Sequence, residues 1–316
     1  MKPAMENVSS VTEFTLSGLN EILYYKVTLF CLTLLFYCVI IIVNSTLIVT
    51  IIMYKNLHEP MYIFICNLCI NGLFGTAGFY PKFLVDLLSH HHGISYIGCL
   101  LQGFVMYSFV CIDICLLSVM AYDRYVAICR PLKYHSVMTR QRVAQLVSFS
   151  WLAPLGLMST YMIFTFQLKL CGSHIQKLYC AGWLIVKLSC AATSWVTSTT
   201  PINVVAYVTI MFYVILGLFI VCSYLQLIQS CLKSLDSRGK FLRTCVPHLL
   251  ALCNITIAVL FDVMYMRFGS LSFPQSLQNF MSIDMVIVPP LFNPLIYGLT
   301  LTQIRNRVLY PFRKRK

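Results

Sequence analysis

The chain has 316 residues, of which 59% are hydrophobic and only 10% are charged, whereas a typical soluble domain has about 25% charged residues. A soluble protein of this length could not bury so much apolar surface, so the composition excludes a soluble globular domain. The formal net charge of +13 is common among nucleic-acid-binding proteins. Here, however, the positive residues concentrate in loops on one side of the hydrophobic segments, so no nucleic-acid partner is expected.

Segments that cross a membrane as helices need about 20 predominantly apolar residues each. Seven such segments follow one another along the chain, at 27–54, 61–85, 96–129, 142–166, 197–229, 243–266 and 275–299. A short amphipathic helix is expected after the last of them, at 300–312. The sequence therefore predicts an all-α membrane protein. A seven-transmembrane helix bundle (27–299) lies between an amino-terminal tail (1–26) and a carboxy-terminal helix with a basic tail (300–316).

The loops on the two sides of the spans differ in charge. Sixteen of the 23 Lys and Arg residues fall on one side, which the positive-inside rule assigns to the cytoplasm. The amino terminus is then extracellular, where Asn7 begins a glycosylation sequon, Asn7-Val8-Ser9. The basic run from Arg313 to Lys316 is expected to contact anionic lipid of the cytoplasmic leaflet.

Four of the 15 cysteines lie on the predicted outer side, where disulfides persist: Cys99, Cys171, Cys180 and Cys190. Cys99 precedes Arg124 by 25 residues, or roughly 37 Å of helix, so it lies at the outer end of the third span if Arg124 lies at the inner end. Spacing alone leaves three connectivities open among the four cysteines.

The third span ends in a specific motif, Met120-Ala121-Tyr122-Asp123-Arg124-Tyr125-Val126-Ala127-Ile128-Cys129. It resembles the signature of odorant receptors within the rhodopsin-like G-protein-coupled receptors. The segments His58 to Phe64 and Pro289 to Tyr297 also match motifs of that family, so the resemblance covers essentially the whole chain. Residues 71–83 look most like fish-type members.

The resemblance implies a receptor that binds a small odorant and activates a heterotrimeric G protein of the olfactory stimulatory type, which raises cAMP. It also implies a plasma-membrane location, in the cilia of olfactory sensory neurons, and the disulfides Cys99–Cys180 and Cys171–Cys190. No enzymatic activity is expected, since no nucleophile–base or metal-protease motif occurs. A rhodopsin-like receptor for a peptide or a lipid is the alternative.

Residues for coupling to the G protein follow from the same resemblance. Asp123 and Arg124 would form an ion pair that holds the receptor inactive, although a purely structural ion pair would explain them too. The other residues with a role in coupling and activation are Tyr125, Tyr224, Asn293, Pro294 and Tyr297. Tyr224 and Tyr297 would stabilise Arg124 once it is released.

Asp113 precedes Arg124 by eleven residues, which places both on one face of the third helix. Most rhodopsin-like receptors have an Asp in the second span where this chain has Gly72. Asp113 is therefore a candidate sodium ligand, and no other cofactor is expected. A protonated, hydrogen-bonded packing residue remains the alternative.

The odorant pocket is expected between the third, fifth and sixth spans. Carried over by position, its residues are Met106, Tyr107, Val110, Cys111, Val208, Phe212, Thr256, Val259, Leu260 and Val263. This mostly apolar set suits a small, mainly uncharged molecule, although each residue could equally serve packing.

Two further features concern the loops. The run His90-His91-His92 could suggest a metal site, but a solvated outer loop is expected instead. Arrestin is a further partner, and its recruitment is expected to be weak and to depend on the loops. Beyond Thr302 the tail has no Ser or Thr that could carry the phosphates which usually recruit arrestin.

Overall fold

The computed structural model describes residues 12–18, 25–89, 91–190, 201–232, 249–262 and 274–313. Eight helices, which we number in chain order, dominate these residues. They are α1 (Lys26–Met53), α2 (Pro60–Leu88), α3 (Tyr96–Cys129), α4 (Arg140–Phe166), α5 (Pro201–Leu232), α6 (Leu249–Asp262), α7 (Gln275–Thr300) and α8 (Thr302–Arg313). Short helical turns at Pro131–Lys133, Tyr134–Val137 and Gly182–Lys187 lie in the loops.

Helices α1 to α5 and α7 are each long and apolar enough to cross a membrane, and α6 is a shorter apolar helix of the same kind. The seven predicted spans coincide with α1 to α7, and α8 coincides with the predicted amphipathic helix. Residues 197–200, 243–248 and 263–266 of the predicted fifth and sixth spans lie outside the described residues. The prediction of an all-α seven-helix bundle is confirmed.

Helix α3 is the most enclosed helix of the bundle. In its most apolar stretch 78% of the residues are buried, against 17% in α1 and 6% in α5. Close packing against α2 contributes to this, because Gly75 faces Phe109. A Cβ atom at Gly75 would lie 2.3 Å from Cγ of that ring. Any larger residue at Gly75 would force α2 and α3 apart, so the interior of the bundle is organised around α3.

One end of the bundle carries a small three-stranded sheet that the sequence did not predict. Its strands are β1 (Glu13–Leu16), β2 (Gly93–Ser95) and β3 (His174–Ile175), with β1 in the centre, antiparallel to β2 and parallel to β3. Phe14 and Leu16 of β1 are buried in a second, smaller core. Part of the predicted amino-terminal tail is therefore folded against two loops. We call this end of the bundle the sheet end and the opposite end the Arg124 end.

The histidine run lies beside β2. His91 is exposed, with its Nε2 atom 3.5 Å from Oε1 of Glu13, whereas His92 is buried, with Nδ1 4.0 Å from Oδ1 of Asp86. Burial lowers the pKa of His92, although Asp86 opposes this shift. The expectation of a solvated loop is therefore wrong for His92, and His90 lies outside the described residues. Within the described part of the chain no group of three or more His, Cys, Asp or Glu could hold a metal ion.

Candidate functional site

Both disulfides implied by the family resemblance are present at the sheet end. Cys99 at the start of α3 is bonded to Cys180, and Cys171 is bonded to Cys190. Gln102 reinforces the first bond: its Oε1 accepts a hydrogen bond from the Cys180 backbone N–H (3.0 Å), and its Nε2 donates to the Gly78 carbonyl (3.2 Å). The loop between α4 and α5 is thereby fixed to both α2 and α3.

Beneath this loop a polar cluster joins the loop to α3 and α6. Lys177 of the loop forms an ion pair with Asp262 at the end of α6, and the Tyr179 hydroxyl donates to Oδ1 of Asp262 at 3.1 Å. Tyr107 of α3 is hydrogen-bonded to Tyr179. Burial and the Asp262 charge raise the pKa of Tyr179, so this hydroxyl stays protonated at neutral pH. The cluster thus brings an ammonium, a carboxylate and two tyrosine hydroxyls together where they are largely shielded from solvent.

Lys177, Tyr179 and Asp262 form one wall of a cleft between the loop, α6 and α7. The other lining residues are Ala258, Phe261, Gln278, Met281, Ser282 and Met285. The walls that the structure describes leave no room for a water molecule between them, so the cleft is closed. Small-molecule sites are usually clefts of about 300–1,000 Å³ with apolar walls and a few polar groups, so this cleft has the lining of such a site and would need its walls to move apart to admit a ligand.

The predicted pocket residues divide into two groups. Met106, Val110 and Cys111 of α3 are buried, Tyr107 and Val259 are partly buried, and Phe212 packs against Phe149 of α4. Three residues are corrected by the structure. Val208 and Leu260 are 50% and 57% exposed and Thr256 is exposed as well, because α5 and α6 turn these positions away from the interior. Val263 lies outside the described residues.

Several interior polar residues were not among the pocket residues that we carried over from the family by position. The transfer by position included neither Asp262 of α6 nor Lys177 and Tyr179 of the loop. Tyr213 of α5, whose hydroxyl is buried near Cys111, was missed too. A signal was available for Asp262, because an acid at the end of an apolar helix needs a partner. Lys177 and Tyr179 lie on either side of Leu178, between Cys171 and Cys180, and no pattern in the sequence marks them.

A second polar cluster lies halfway along α3. Asp113 accepts a hydrogen bond from Nδ2 of Asn71 at 3.0 Å, and Asn293 of α7 lies close to the same carboxyl group. Nearby, Nδ2 of Asn44 donates to the Pro290 carbonyl at 2.8 Å. This carbonyl lacks a helical partner because Pro294, four residues later, has no N–H. The side-chain amides thus join α1 to α7 and α2 to α3.

This second cluster leaves several oxygens unused. Oδ1 of Asn44, Oδ1 of Asn71 and Oδ2 of Asp113 are buried without a hydrogen-bond partner. Gly72 packs closely against one of them, since a Cβ atom there would lie only 3.3 Å from Oδ1 of Asn44. Oxygen atoms of carboxylates and amides are the ligands that hard cations take, so the donor set fits a small cation such as sodium.

The Arg124 end carries a third polar cluster. Asp123 is fully buried and forms an ion pair with Arg124, whose Nε lies 3.0 Å from Oδ2 of Asp123. The hydroxyl of Tyr134, in the loop after α3, donates to Oδ1 of the same carboxylate at 2.8 Å. Burial and the Asp123 charge raise the pKa of Tyr134. Both oxygens of Asp123 are therefore occupied, and Arg124 is held against its own helix.

The other residues proposed for activation lie on α3, α5 and α7. Tyr224 of α5 and Tyr297 of α7 are buried near each other, and Pro294 is buried in α7. Tyr125 is partly exposed, and the Arg130 guanidinium lies 5.8 Å from the centre of its ring. Helix α8 contacts the end of α1: the Arg307 guanidinium carbon lies 4.8 Å from the centre of the Tyr54 ring.

Known proteins resemble this chain over nearly its whole length. A family model described as olfactory receptor matches residues 30–315. Olfactory receptor 10H28 of Mus musculus is 31% identical over 317 residues, which cover 98% of this chain and 97% of that protein. Olfactory receptor 4B13 of Mus musculus is 34% identical (96% and 97% covered), and olfactory receptor 13D1 of Homo sapiens is 32% identical (96% and 86% covered).

Proposed function

Because the chain belongs to the olfactory receptor family of G-protein-coupled receptors, we propose that it binds a small odorant in the closed cleft and activates a stimulatory G protein that raises cAMP. Membership of this family makes it a multi-pass membrane receptor for odorants that couples to a G protein, and not an enzyme. The observation that carries the proposal is Arg124, held by Asp123 at the opposite end of α3 from the cleft.

In this proposal the sheet end is extracellular and the Arg124 end is cytoplasmic. Two disulfides at the sheet end support this orientation because such bonds persist outside the cytosol. The excess of Lys and Arg at the other end supports it as well. The receptor would act in the plasma membrane of sensory cilia, with Asn7 on the extracellular side and available for glycosylation.

Signalling would begin when an odorant separates the walls of the cleft. The movement of α6 would change the packing at the cytoplasmic end and release Arg124 from Asp123. Tyr224 and Tyr297, which are both buried, would stabilise the released guanidinium, and Arg124 and Tyr125 would face the G protein. Pro294 supports a bend in α7 because it removes one helical hydrogen bond.

We also propose that the cluster around Asp113 holds a sodium ion in the inactive receptor. The unused oxygens of Asp113, Asn71 and Asn44 support this proposal. The Asp113 carboxylate would supply the negative charge that Gly72 cannot, and sodium would stabilise the arrangement that connects α7 to α3 through Asn293.

Lipid and arrestin are further proposed partners at the cytoplasmic end. The basic run Arg313 to Lys316 would contact anionic lipid of the inner leaflet. Phosphorylation adds about −1.5 to −2 charge per site, and the candidate acceptors on the cytoplasmic side lie in the loops or at the end of α5: Ser136, Thr139, Ser230, Ser234 and Ser237. Arrestin recruitment would thus depend on the loops.

Expression of the receptor with an olfactory stimulatory G protein, with cAMP as the readout, tests the proposal. A panel of small water-borne odorants should contain at least one that raises cAMP in the wild type. Arg124→Ala should abolish the response at equal surface expression, whereas Arg140→Ala, which removes an exposed arginine from the same end, should keep it. A response confined to peptides or lipids would support the alternative receptor class.

A further inference from the structure

The ion pair between Lys177 and Asp262 lies inside the cleft, where charges are costly. The two side chains are only 4% and 14% exposed, and a buried ion pair seldom stabilises a fold more than apolar residues of similar size would. Its position suggests a role in binding. Lys177 belongs to the loop that the Cys99–Cys180 bond ties to α3, and Asp262 belongs to α6, so the pair holds the two walls together.

We propose that the odorant is a carboxylic acid whose carboxylate binds Lys177 in competition with Asp262. The inference rests on the proposed function and names the ligand class of the same cleft. An acid that takes over Lys177 weakens the contact between the loop and α6, and this opens the cleft.

The chemistry of the cleft favours an anion over a cation. The Lys177 ammonium lies together with the Tyr179 hydroxyl, the Gln278 amide and the Ser282 hydroxyl, all of which can donate hydrogen bonds. Asp262 is the one carboxylate that the described lining contains, and it already accepts from Lys177 and Tyr179. A cationic ligand would have to share that carboxylate with a buried ammonium. An anionic ligand has to displace the Asp262 carboxylate from Lys177, but it then gains the ammonium and several hydrogen-bond donors.

The remaining wall of the cleft defines the rest of the ligand. Ala258, Phe261, Met281 and Met285 offer an apolar surface next to Lys177. Methionine side chains adapt to ligands of different shape because they are flexible and polarisable. A short aliphatic or aromatic acid, with one charged end and an apolar body, matches this arrangement.

The experiment compares four odorants with the same six-carbon skeleton: an acid, an alcohol, an aldehyde and an amine. Each is titrated on the wild type, Lys177→Met, Lys177→Arg and Asp262→Asn, with cAMP as the readout and surface expression measured in parallel. The matched control is Lys169→Met, which removes an exposed lysine from the same loop. The tail length of the acid is varied in a second series.

We expect the acids to be the most potent members of the panel. Lys177→Met should raise the EC50 of the acids by about tenfold or more, the usual effect of losing a charged hydrogen bond. Lys177→Arg and Lys169→Met should change it far less. Asp262→Asn should lower the acid EC50, because the ligand then no longer competes with a carboxylate for Lys177. This opposite effect of two partners in one ion pair distinguishes competition from a structural role.

Acids that act equally on Lys177→Met and Lys169→Met would overturn the inference. The inference would also be overturned if no acid raised cAMP while amines or neutral odorants did. That outcome would leave the proposed function intact. Silence towards every class, with Arg124→Ala indistinguishable from the wild type, would overturn both. If Lys177→Met does not reach the surface, Asp262→Asn decides: an acid EC50 that does not fall contradicts competition.

Discussion

The hydroxyl of Tyr134 is expected to hold the receptor in its inactive state. It donates a 2.8 Å hydrogen bond to Asp123, a fully buried carboxylate that also binds Arg124. A hydrogen bond to a charged group contributes about 1.5–3 kcal/mol. Every 1.4 kcal/mol corresponds to about a tenfold change in an equilibrium. If the bond exists only in the inactive state, Tyr134→Phe should therefore raise the ratio of active to inactive receptor about tenfold or more.

Basal cAMP in the absence of odorant, normalised to surface expression, measures this ratio. Tyr134→Phe keeps the ring beside His135 and removes only the hydroxyl. Ser136→Ala is the matched control, since that exposed hydroxyl of the same loop bonds only to the Lys133 carbonyl. The raised pKa of Tyr134 keeps the hydroxyl protonated, so the difference should not vary between pH 6 and 8. Equal basal cAMP in Tyr134→Phe and Ser136→Ala would refute the reasoning.

Three further predictions concern other parts of the chain. Cys99→Ser and Cys180→Ser should each prevent surface delivery, and the double variant should be no worse, because both remove the same bond; additive losses in surface staining would contradict this. Asp113→Asn should abolish any dependence of basal cAMP on sodium concentration, and a wild type whose basal and odorant-evoked signals ignore sodium would eliminate the ion site. Truncation after Arg307 should leave arrestin recruitment unchanged, and a strong signal lost on truncation would assign that function to the tail.

The helices were predictable because each span is defined by its own residues. An apolar stretch must be helical in lipid, where every backbone N–H and C=O needs a partner within the segment. The orientation of a helix about its own axis was harder to predict. Helix α5 is apolar on all sides, so its sequence does not distinguish the face that meets α3 from the face that meets lipid. Val208 was placed on the wrong face for that reason, and Leu260 of α6 in the same way.

The sheet could not be predicted from local sequence. Glu13 to Leu16 alternates polar and apolar residues, as a strand does, but four residues are too few for a reliable pattern. Its partners, Gly93–Ser95 and His174–Ile175, lie far away in the sequence. The close fit of Gly18 against the backbone of Lys177, where a Cβ atom would lie 2.7 Å from the carbonyl carbon, arises only in the folded chain.

Three polar residues of α3, one towards each end of the helix and one halfway along it, explain how an odorant could act over the length of the bundle. Gln102, Asp113 and Arg124 are spaced eleven residues apart, so all three lie close to one face of the helix. Gln102 holds the disulfide-bonded loop, Asp113 is hydrogen-bonded to α2 and lies close to Asn293 of α7, and Arg124 pairs with Asp123. The face is largely buried and tightly packed against α2. A change at the cleft therefore reaches Arg124 more readily through the helices that move against α3 than through any bending of α3 itself.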